Sequence, residues 1–396
     1  MSSEIKAMDE KSRDEMIGVS NFIFRHPELG DNEFAGSAYL ADLLGKSGFR
    51  VQYPYKGLKT AFRAEYGNPA GKKVAFLAEY DALPGYGPQK KPAHACGHNW
   101  IAATAVGTAL ILSRVKEPLG GCVAVIGTPA EETVGRKVDL LEAGAFDDID
   151  AVFQMHLSKT TTLNARALAM DPWKFEFFGK ASHAAACPFQ GINALDAVNL
   201  TFAGVGALRQ QVRPDVRIHG IIPDGGDAPN VIPNYASCKF YVRASDRAYL
   251  DEVSEKVKNC ARGSALMTGA RVKISRFENS FDELRMNPVL CGLMKENLAQ
   301  CGIRDFSEGP ELIGSTDIGN VSRRVPTFYG NIGVGDGKAG THEEAFLNFV
   351  DSEEAHAKLL KVAEAFALSA LDIFRNPGYL EKAKTEFEKE EGRNRG

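Results

Sequence analysis

The sequence predicts an α/β fold: a discontinuous α/β domain interrupted by a smaller, inserted ferredoxin-like α+β domain. Three observations predict it. Short, continuous apolar runs alternate with helical segments in the first 171 residues, the pattern of a sheet covered on both faces. After about Asp171 the strands instead alternate apolar and polar residues, as half-exposed strands do. From about Met286 the α/β texture returns. A chain of 396 residues is comfortable for two domains, here 1–171 with 286–396, and 172–285.

Residues 12–25 and 33–47 read as helices, the second stopping at a Gly. "KVAFLAEY" (73–80) is an apolar strand followed by turn chemistry, "DALPGYGP". "IAATAVGTALILSRV" (101–115) is apolar almost all round, which predicts a buried helix. "GCVAVIGTPAEE" (121–132) is a buried strand running into a loop, "VDLLEAGAF" a short helix, and "DAVFQMH" (150–156) another buried strand. In the inserted part, "WKFEFFGKA", a helix from Asn193, "VRIHGIIPDG", "YASCKFYVRAS", a helix from Arg247 and "RVKISRF" follow β-α-β-β-α-β order, the split βαβ arrangement. A long helix is expected over 343–374, followed by a frayed, charged tail.

Hydrophobic content of 44% and charged content of 25% describe an ordinary globular protein. A net charge of −4 gives no reason to expect nucleic acid or an anionic membrane as partner. No window reaches the uninterrupted apolar run of about 20 residues that a membrane helix needs. The polar start, MSSEIKAMDEKSRDEM, is not a secretory signal. Seven cysteines, an odd number without framework spacing, predict reduced thiols and a cytoplasmic setting. Six of them sit among apolar or helical neighbours and read as packing residues; Cys96 is set apart by its neighbours in "PAHACGHNW".

Open α/β sheets place their sites beyond the carboxyl ends of the strands. The chemistry-bearing residues fall there. Asp81 follows the strand ending at Tyr80, and His94, Cys96 and His98 precede the buried helix. Glu131 and Glu132 follow "CVAVIGTPA", His156 ends "AVFQM", and His342 lies on a Gly-rich loop before the last helix. Each alone is commonly a core or surface residue. Their shared position at the strand ends of one sheet argues for chemistry. In an extended loop, residues i and i+2 point the same way, so Cys96 and His98 can face one cation across Gly97. Thiolate, imidazole and carboxylate together suit zinc, manganese or cobalt. Of two adjacent acids, one can bind metal while the other stays free as general base for a water. Five ligands exceed what a simple catalytic zinc site uses, and suit two ions about 3.5–4 Å apart.

The segments "AEYDALPG", "HACGHN", "GTPAEE", "ASHAA", "GGDAPNVIPN", "STDIGN" and "GTHEEAF" resemble the aminoacylase/carboxypeptidase family of dinuclear metallopeptidases. They look most like its amidohydrolase branch, with indole-acetyl-amino-acid hydrolases, aminobenzoyl-glutamate hydrolase and related dipeptidases. The match runs in order from about His26 to Phe346. The resemblance implies two divalent cations, manganese or zinc, held by Cys96, His98, Glu132, His156 and His342, with Cys96 in the bridging place. It implies Glu131 as general acid/base and Asp81 as the acid that orients a metal-site group. It implies that His183, in the inserted lid or dimerisation domain, reaches a partner subunit's active site and stabilises the oxyanion. Asn230 and Arg243 match positions that bind a substrate carboxylate, a natural job for a guanidinium fork. A homodimer or higher homo-oligomer is the implied assembly.

The chain also departs from the family pattern. Asn99 follows His98 where many members of the branch carry Asp, and Glu79 stands where the peptidases proper have a metal-binding histidine. No ligand role is carried onto Glu79. His94 reads as a loop hydrogen-bond donor, a residue behind the ligands, or a ligand. The expected activity is hydrolysis of the amide of a small N-acyl or aryl amino acid or dipeptide with a free carboxylate. Hydrolytic deamination of an aminoaromatic acid at the same metal pair, and a non-catalytic binding relative, are the alternatives. A Cys96 nucleophile paired with His94 or His98 would leave His156, His342 and Glu132 without a task.

Overall fold

The structure is a computed structural model and describes residues 10–307, 311–312 and 314–393. The chain divides into two compact units, one of Met1–Arg166, Leu284–Ile313 and Asn320–Gly396, the other of Ala167–Glu283 and Gly314–Gly319. The second unit therefore begins a few residues before the expected 172 and also takes up the short stretch 314–319.

The first unit is built on β1 (Arg50–Gln52), β2 (Phe62–Gly67), β3 (Lys73–Ala78), β4 (Cys122–Gly127), β5 (Ala151–Ser158) and β10 (Thr327–Gly333), in the spatial order β1-β2-β4-β3-β5-β10. The four strands from β4 to β10 pair in parallel, and β1 and β2 add an antiparallel edge. Around them lie α1 (Glu10–Arg25), α2 (Phe34–Lys46), α3 (His98–Ser113), α4 (Arg136–Glu142), α7 (Pro288–Gln300), α8 (Glu353–Arg375) and α9 (Gly378–Arg393). Every residue of α3 from His98 to Leu112 is buried, as its all-round apolar character demands. Its start is fixed by Gly97, whose φ of +82° favours glycine, and a Cβ there would meet Leu157 at 3.2 Å. One core cluster joins Phe76, Phe153, Phe328 and Phe366 with Trp100, whose indole N–H donates to the Ala355 carbonyl at 2.8 Å.

Two expectations fail here. The single long helix is broken: short turns at Glu344–Phe346 and Leu347–Val350 precede α8, which starts where the Ser352 hydroxyl caps the Ala355 amide. The charged tail is helical as far as Arg393, its start held where α9 buries Leu380 and Ala383 and accepts a hydrogen bond from the Asn287 amide onto the Ala383 carbonyl at 2.8 Å; residues 394–396 lie outside the described residues. No helix of the described residues is long and apolar enough to cross a membrane.

The second unit contains β6 (Ala169–Phe178), α5 (Ala194–Leu208), β7 (Arg217–Asp224), β8 (Tyr235–Ala244), α6 (Arg247–Thr268) and β9 (Arg271–Arg276). Its sheet is antiparallel, in the order β9-β6-β8-β7. That is the fourth, first, third and second strand of the unit side by side, a ferredoxin-like arrangement. Along β8, Ala236, Cys238, Phe240, Val242 and Ala244 are buried in the unit's own core, and Tyr235, Lys239, Tyr241 and Arg243 alternate with them on the other face. Asn193 and Asp246 cap α5 and α6 through their side chains.

Candidate metal centre

The strands of the first unit deliver their chemistry where they end. Beyond β3 the chain passes through Glu79, Tyr80 and Asp81, all buried. Beyond β4 a loop carries Glu131 and Glu132, and near the end of β5 stands His156. His98 opens α3. His342 sits in the left-handed region with φ +65°; its amide donates to the Ala95 carbonyl at 3.0 Å, and its carbonyl accepts from the Tyr86 hydroxyl at 2.9 Å.

These segments bring Cys96, His98, Glu131, Glu132, His156 and His342 together. The Cys96 sulfur lies 3.3 Å from Nε2 of both His156 and His342. His342 Nε2 is also 3.3 Å from Glu132 Oε1, and His98 Nε2 is 3.7 Å from that oxygen and 4.0 Å from Glu131 Oε2. Two sets of donor atoms, each within 4.8 Å of one another, share Cys96: Cys96, His98 and His156, and Cys96, Glu132 and His342.

Hydrogen bonds behind the ring fix which nitrogen is presented. His98 Nδ1 lies 2.8 Å from Asp81 Oδ1, and a carboxylate only accepts, so Nδ1 carries a proton and Nε2 faces the cluster. His156 Nδ1 lies 2.5 Å from the Leu157 carbonyl, with the same consequence. Asp81 also accepts from the Glu132 amide through Oδ2 at 2.9 Å, so one carboxylate holds two of the donor residues.

The electrostatics differ from one member of the cluster to the next. Burial works against a charged His98, but the Asp81 carboxylate and Cys96 outweigh it and hold His98 well above the usual imidazole value. Burial works against an ionised Glu132, but the adjacent His342 and His98 rings outweigh it, bringing Glu132 down to about 2. Burial, then the Glu132 carboxylate, pushes the Cys96 thiol well up. Burial and the neighbouring His98 hold His156 down, at about 4. His98 Nε2 and Glu132 Oε1 are buried without a hydrogen-bond partner. Such atoms are costly unless something else satisfies them. Sulfur, imidazole and carboxylate donors at these separations fit divalent cations.

Glu79, which the sequence left without a role, is buried with Oε1 held by Lys137 at 2.5 Å and Gln154 at 2.8 Å, and Oε2 lies 3.6 Å from His98 Nε2. Burial opposes its charge; Lys137, then His98, bring it down to about 2. His94 turns away from the donors. Its Nε2 lies 3.0 Å from the Ile23 carbonyl, and burial keeps it neutral, at about 3.

His183, Asn230 and Arg243 belong to the second unit. His183 is exposed, and its backbone pairs with Val231, which sets it beside Asn230: the Ala184 amide donates to the Asn230 carbonyl at 2.9 Å. His183 Nδ1 accepts from the amides of Ala185 and Ala186, at 3.2 and 3.1 Å, which leaves the neutral ring's proton on Nε2. Arg243 donates through Nη1 to the Ser315 hydroxyl at 3.1 Å, while its buried Nε has no partner.

Sequence reasoning missed Glu33, Tyr86, Lys137 and Gln154. Glu33 stands just before α2 yet makes no cap hydrogen bond; its carboxylate instead reaches the Ala130 amide and the Thr60 hydroxyl. The one local sign was an acid at a helix start that nothing else employed.

Comparison with known proteins follows the same lines. The family model described as peptidase family M20/M25/M40 matches residues 75–369, which include Asp81, Cys96, His98, Glu131, Glu132, His156 and His342. The mouse protein named Xaa-Arg dipeptidase is 38% identical over 96% of this chain and 90% of its own. A subunit of the p-aminobenzoyl-glutamate hydrolase of Escherichia coli is 32% identical over 75% of this chain and 65% of its own. The crystal structure of a Bacillus subtilis protein, described as a dinuclear metal binding peptidase from the M20 family, superposes with a TM-score of 0.69 at 22% identity, covering 93% of this chain and 99% of that one. With the donor residues on the strand ends of the matched sheet, and near-full-length similarity to the mouse dipeptidase, the chain belongs to peptidase family M20/M25/M40.

Proposed function

We propose that this chain is a metal-dependent hydrolase of C–N bonds that cleaves the amide of a dipeptide or small N-acyl amino acid bearing a free carboxylate. The observation that carries the reading is the pair of donor sets sharing Cys96, with His98 Nε2 and Glu132 Oε1 buried and unpaired. Cys96, His98 and His156 would hold one divalent cation and Cys96, Glu132 and His342 a second, manganese or zinc. Bound there, the cations supply Lewis acidity to the scissile carbonyl and acidify a water.

The chain's own residues do the rest. Glu131 takes a proton from the water as its oxygen bonds to the carbonyl carbon, and returns that proton to the nitrogen as the C–N bond breaks. Asp81 keeps His98 and the Glu132 amide in place. His183, with its proton on Nε2, is suited to donate to the oxyanion. A second copy of the chain supplies that histidine: His183 is exposed, and β7 is an edge strand with Ile221 and Ile222 uncovered, as self-association requires. Arg243 and Asn230 recognise the substrate carboxylate, the lone Nε of Arg243 being a donor in search of an acceptor. The name of the mouse relative favours a dipeptide with C-terminal arginine.

The test is a panel with manganese or zinc supplied: Xaa-Arg dipeptides, N-acetylcysteine, p-aminobenzoyl-glutamate and aminoaromatic acids. Amide cleavage with release of a free amino acid is expected, with Xaa-Arg preferred. Chelator should abolish it, and Glu131→Gln should lower kcat about 10²–10⁴-fold. Release of ammonia from the aminoaromatic acids without amide cleavage would replace this reading with deamination.

A further inference from the structure

The family resemblance and the donor cluster leave Glu33 without a task, yet it is among the most confined acids in the first unit. It is 0% exposed. Its Oε1 accepts from the Ala130 amide at 2.7 Å, and its Oε2 accepts from the Thr60 hydroxyl at 3.0 Å. Thr60 is tied in turn, its carbonyl accepting from the Tyr80 hydroxyl at 2.6 Å.

Ala130 is an unusual residue to find there. It lies in the left-handed region at φ +56°, where a side chain is disfavoured, and it is fully buried. Its carbonyl accepts from the Gly135 amide at 2.8 Å. A Cβ added at Gly30 would come to 3.0 Å from the Ala130 Cα and Cβ. Such a conformation persists only where the surroundings over-determine it, and it clusters at functional sites. The next residue is Glu131, and the one after it is Glu132, whose amide is held by Asp81 at 2.9 Å. Glu131 is therefore bracketed: the amide before it is gripped by Oε1 of Glu33 and the amide after it by the Asp81 carboxylate.

We propose that Glu33 is a positioning residue for Glu131, pinning the left-handed Ala130 amide so that the base is held in one backbone geometry. The proposal rests on the reading of Glu131 as general base. Without an acceptor at Glu33 the Ala130 N–H would be buried and unpaired, and the turn would relax toward an ordinary conformation. That relaxation moves Glu131 without touching the donors on β5, α3 or the His342 loop.

The experiment compares Glu33→Ala, Glu33→Gln and Glu131→Gln in the metal-loaded full chain. In Glu33→Ala, kcat should fall about 10–100-fold, the scale of a misplacement of about 1 Å. KM and metal content by mass spectrometry should stay near wild type. Amide exchange across 128–135 should quicken. Glu33→Gln, whose side-chain oxygen still accepts from Ala130, should recover most of kcat and of the exchange protection. If Glu33→Ala does not fold, Glu33→Asp carries the test, since the shortened acid no longer reaches Ala130 and should lower kcat where Gln does not. Full kcat in Glu33→Ala or Glu33→Asp, or equal losses in Glu33→Gln, would overturn the proposal. Full activity in Glu131→Gln would instead overturn the base assignment, so the two failures are distinguishable.

Discussion

Asp171 in the second unit and Glu132 in the first are both buried carboxylates, and their surroundings differ. Asp171 Oδ1 accepts from Arg247 Nη1 and Nη2, at 3.0 and 3.2 Å, and from the Ser280 hydroxyl; Oδ2 accepts from the Ser254 hydroxyl at 2.5 Å. Charge and hydrogen bonds are matched on the spot, which is what a buried ion requires if it is only to hold a fold together. Glu132 faces two imidazoles and a thiol, and its Oε1 has no hydrogen bond. In the first arrangement both carboxylate oxygens already have donors. The second leaves a buried carboxylate oxygen that a bound cation would satisfy.

Breaking the complete cluster gives the largest expected effect on stability. Asp171→Ala removes one side of a buried pair and leaves Arg247 without its main partner, which typically costs about 3–5 kcal/mol. Denaturant titration should show the loss, while kcat per folded, metal-loaded molecule stays at the wild-type value. A loss below about 1 kcal/mol would place Asp171 with the weak surface pairs and dissolve the contrast.

Glu33 stands between the two cases, with two donors and another acid close by. Burial first, and then the Asp81 charge, push it up to about 7 from an ordinary value of 4.5. The folded chain thus holds this proton more tightly than the unfolded chain does. The stabilisation is full below about 4.5 and is lost as pH rises through about 7, a change on the order of 3 kcal/mol. Glu33→Gln cannot lose a proton. Measured at pH 5 and pH 8, the stability difference between wild type and variant should therefore move against wild type by about that amount. An unchanged difference would mean that the carboxylate is ionised at both pH values and better satisfied than its two donors suggest.

Much of this was legible in the sequence, for reasons of locality. The parallel strands announce themselves as apolar runs, and α3 as a helix apolar on every side. Asp81, His94, Cys96, His98, Glu131, Glu132, His156 and His342 could be singled out because chemistry-bearing residues fell at successive strand ends, and the resemblance then implied which five of them are ligands. What escaped was non-local. The short β1 and the polar-interrupted β2 lack an apolar run of their own. The order of α9 depends on where Leu380 and Ala383 land in the core, not on the charged residues around them. Glu33 meets Ala130 across 97 residues, Lys137 meets Glu79 across 58, and Tyr86 meets His342 across 256. Nothing in the residues near any of them specifies the partner.

Tyr86 gives the smallest expected effect and the finest test of how the first cluster is held. His342 has a left-handed backbone and an Nε2 that faces Cys96 and Glu132, and its own backbone is pinned through the Ala95 carbonyl and the Tyr86 hydroxyl. Tyr86→Phe removes one neutral hydrogen bond, worth about 1 kcal/mol. If that bond holds the ligand in place, the loss falls on cation affinity, which should weaken roughly five-fold in a metal titration. Thermal stability of the metal-free chain should hardly change, because His342 is half exposed and water can replace the lost donor. A drop in apo stability with unaltered metal affinity would show that the Tyr86 bond supports the loop, and that the remaining ligands orient His342 through the cation itself.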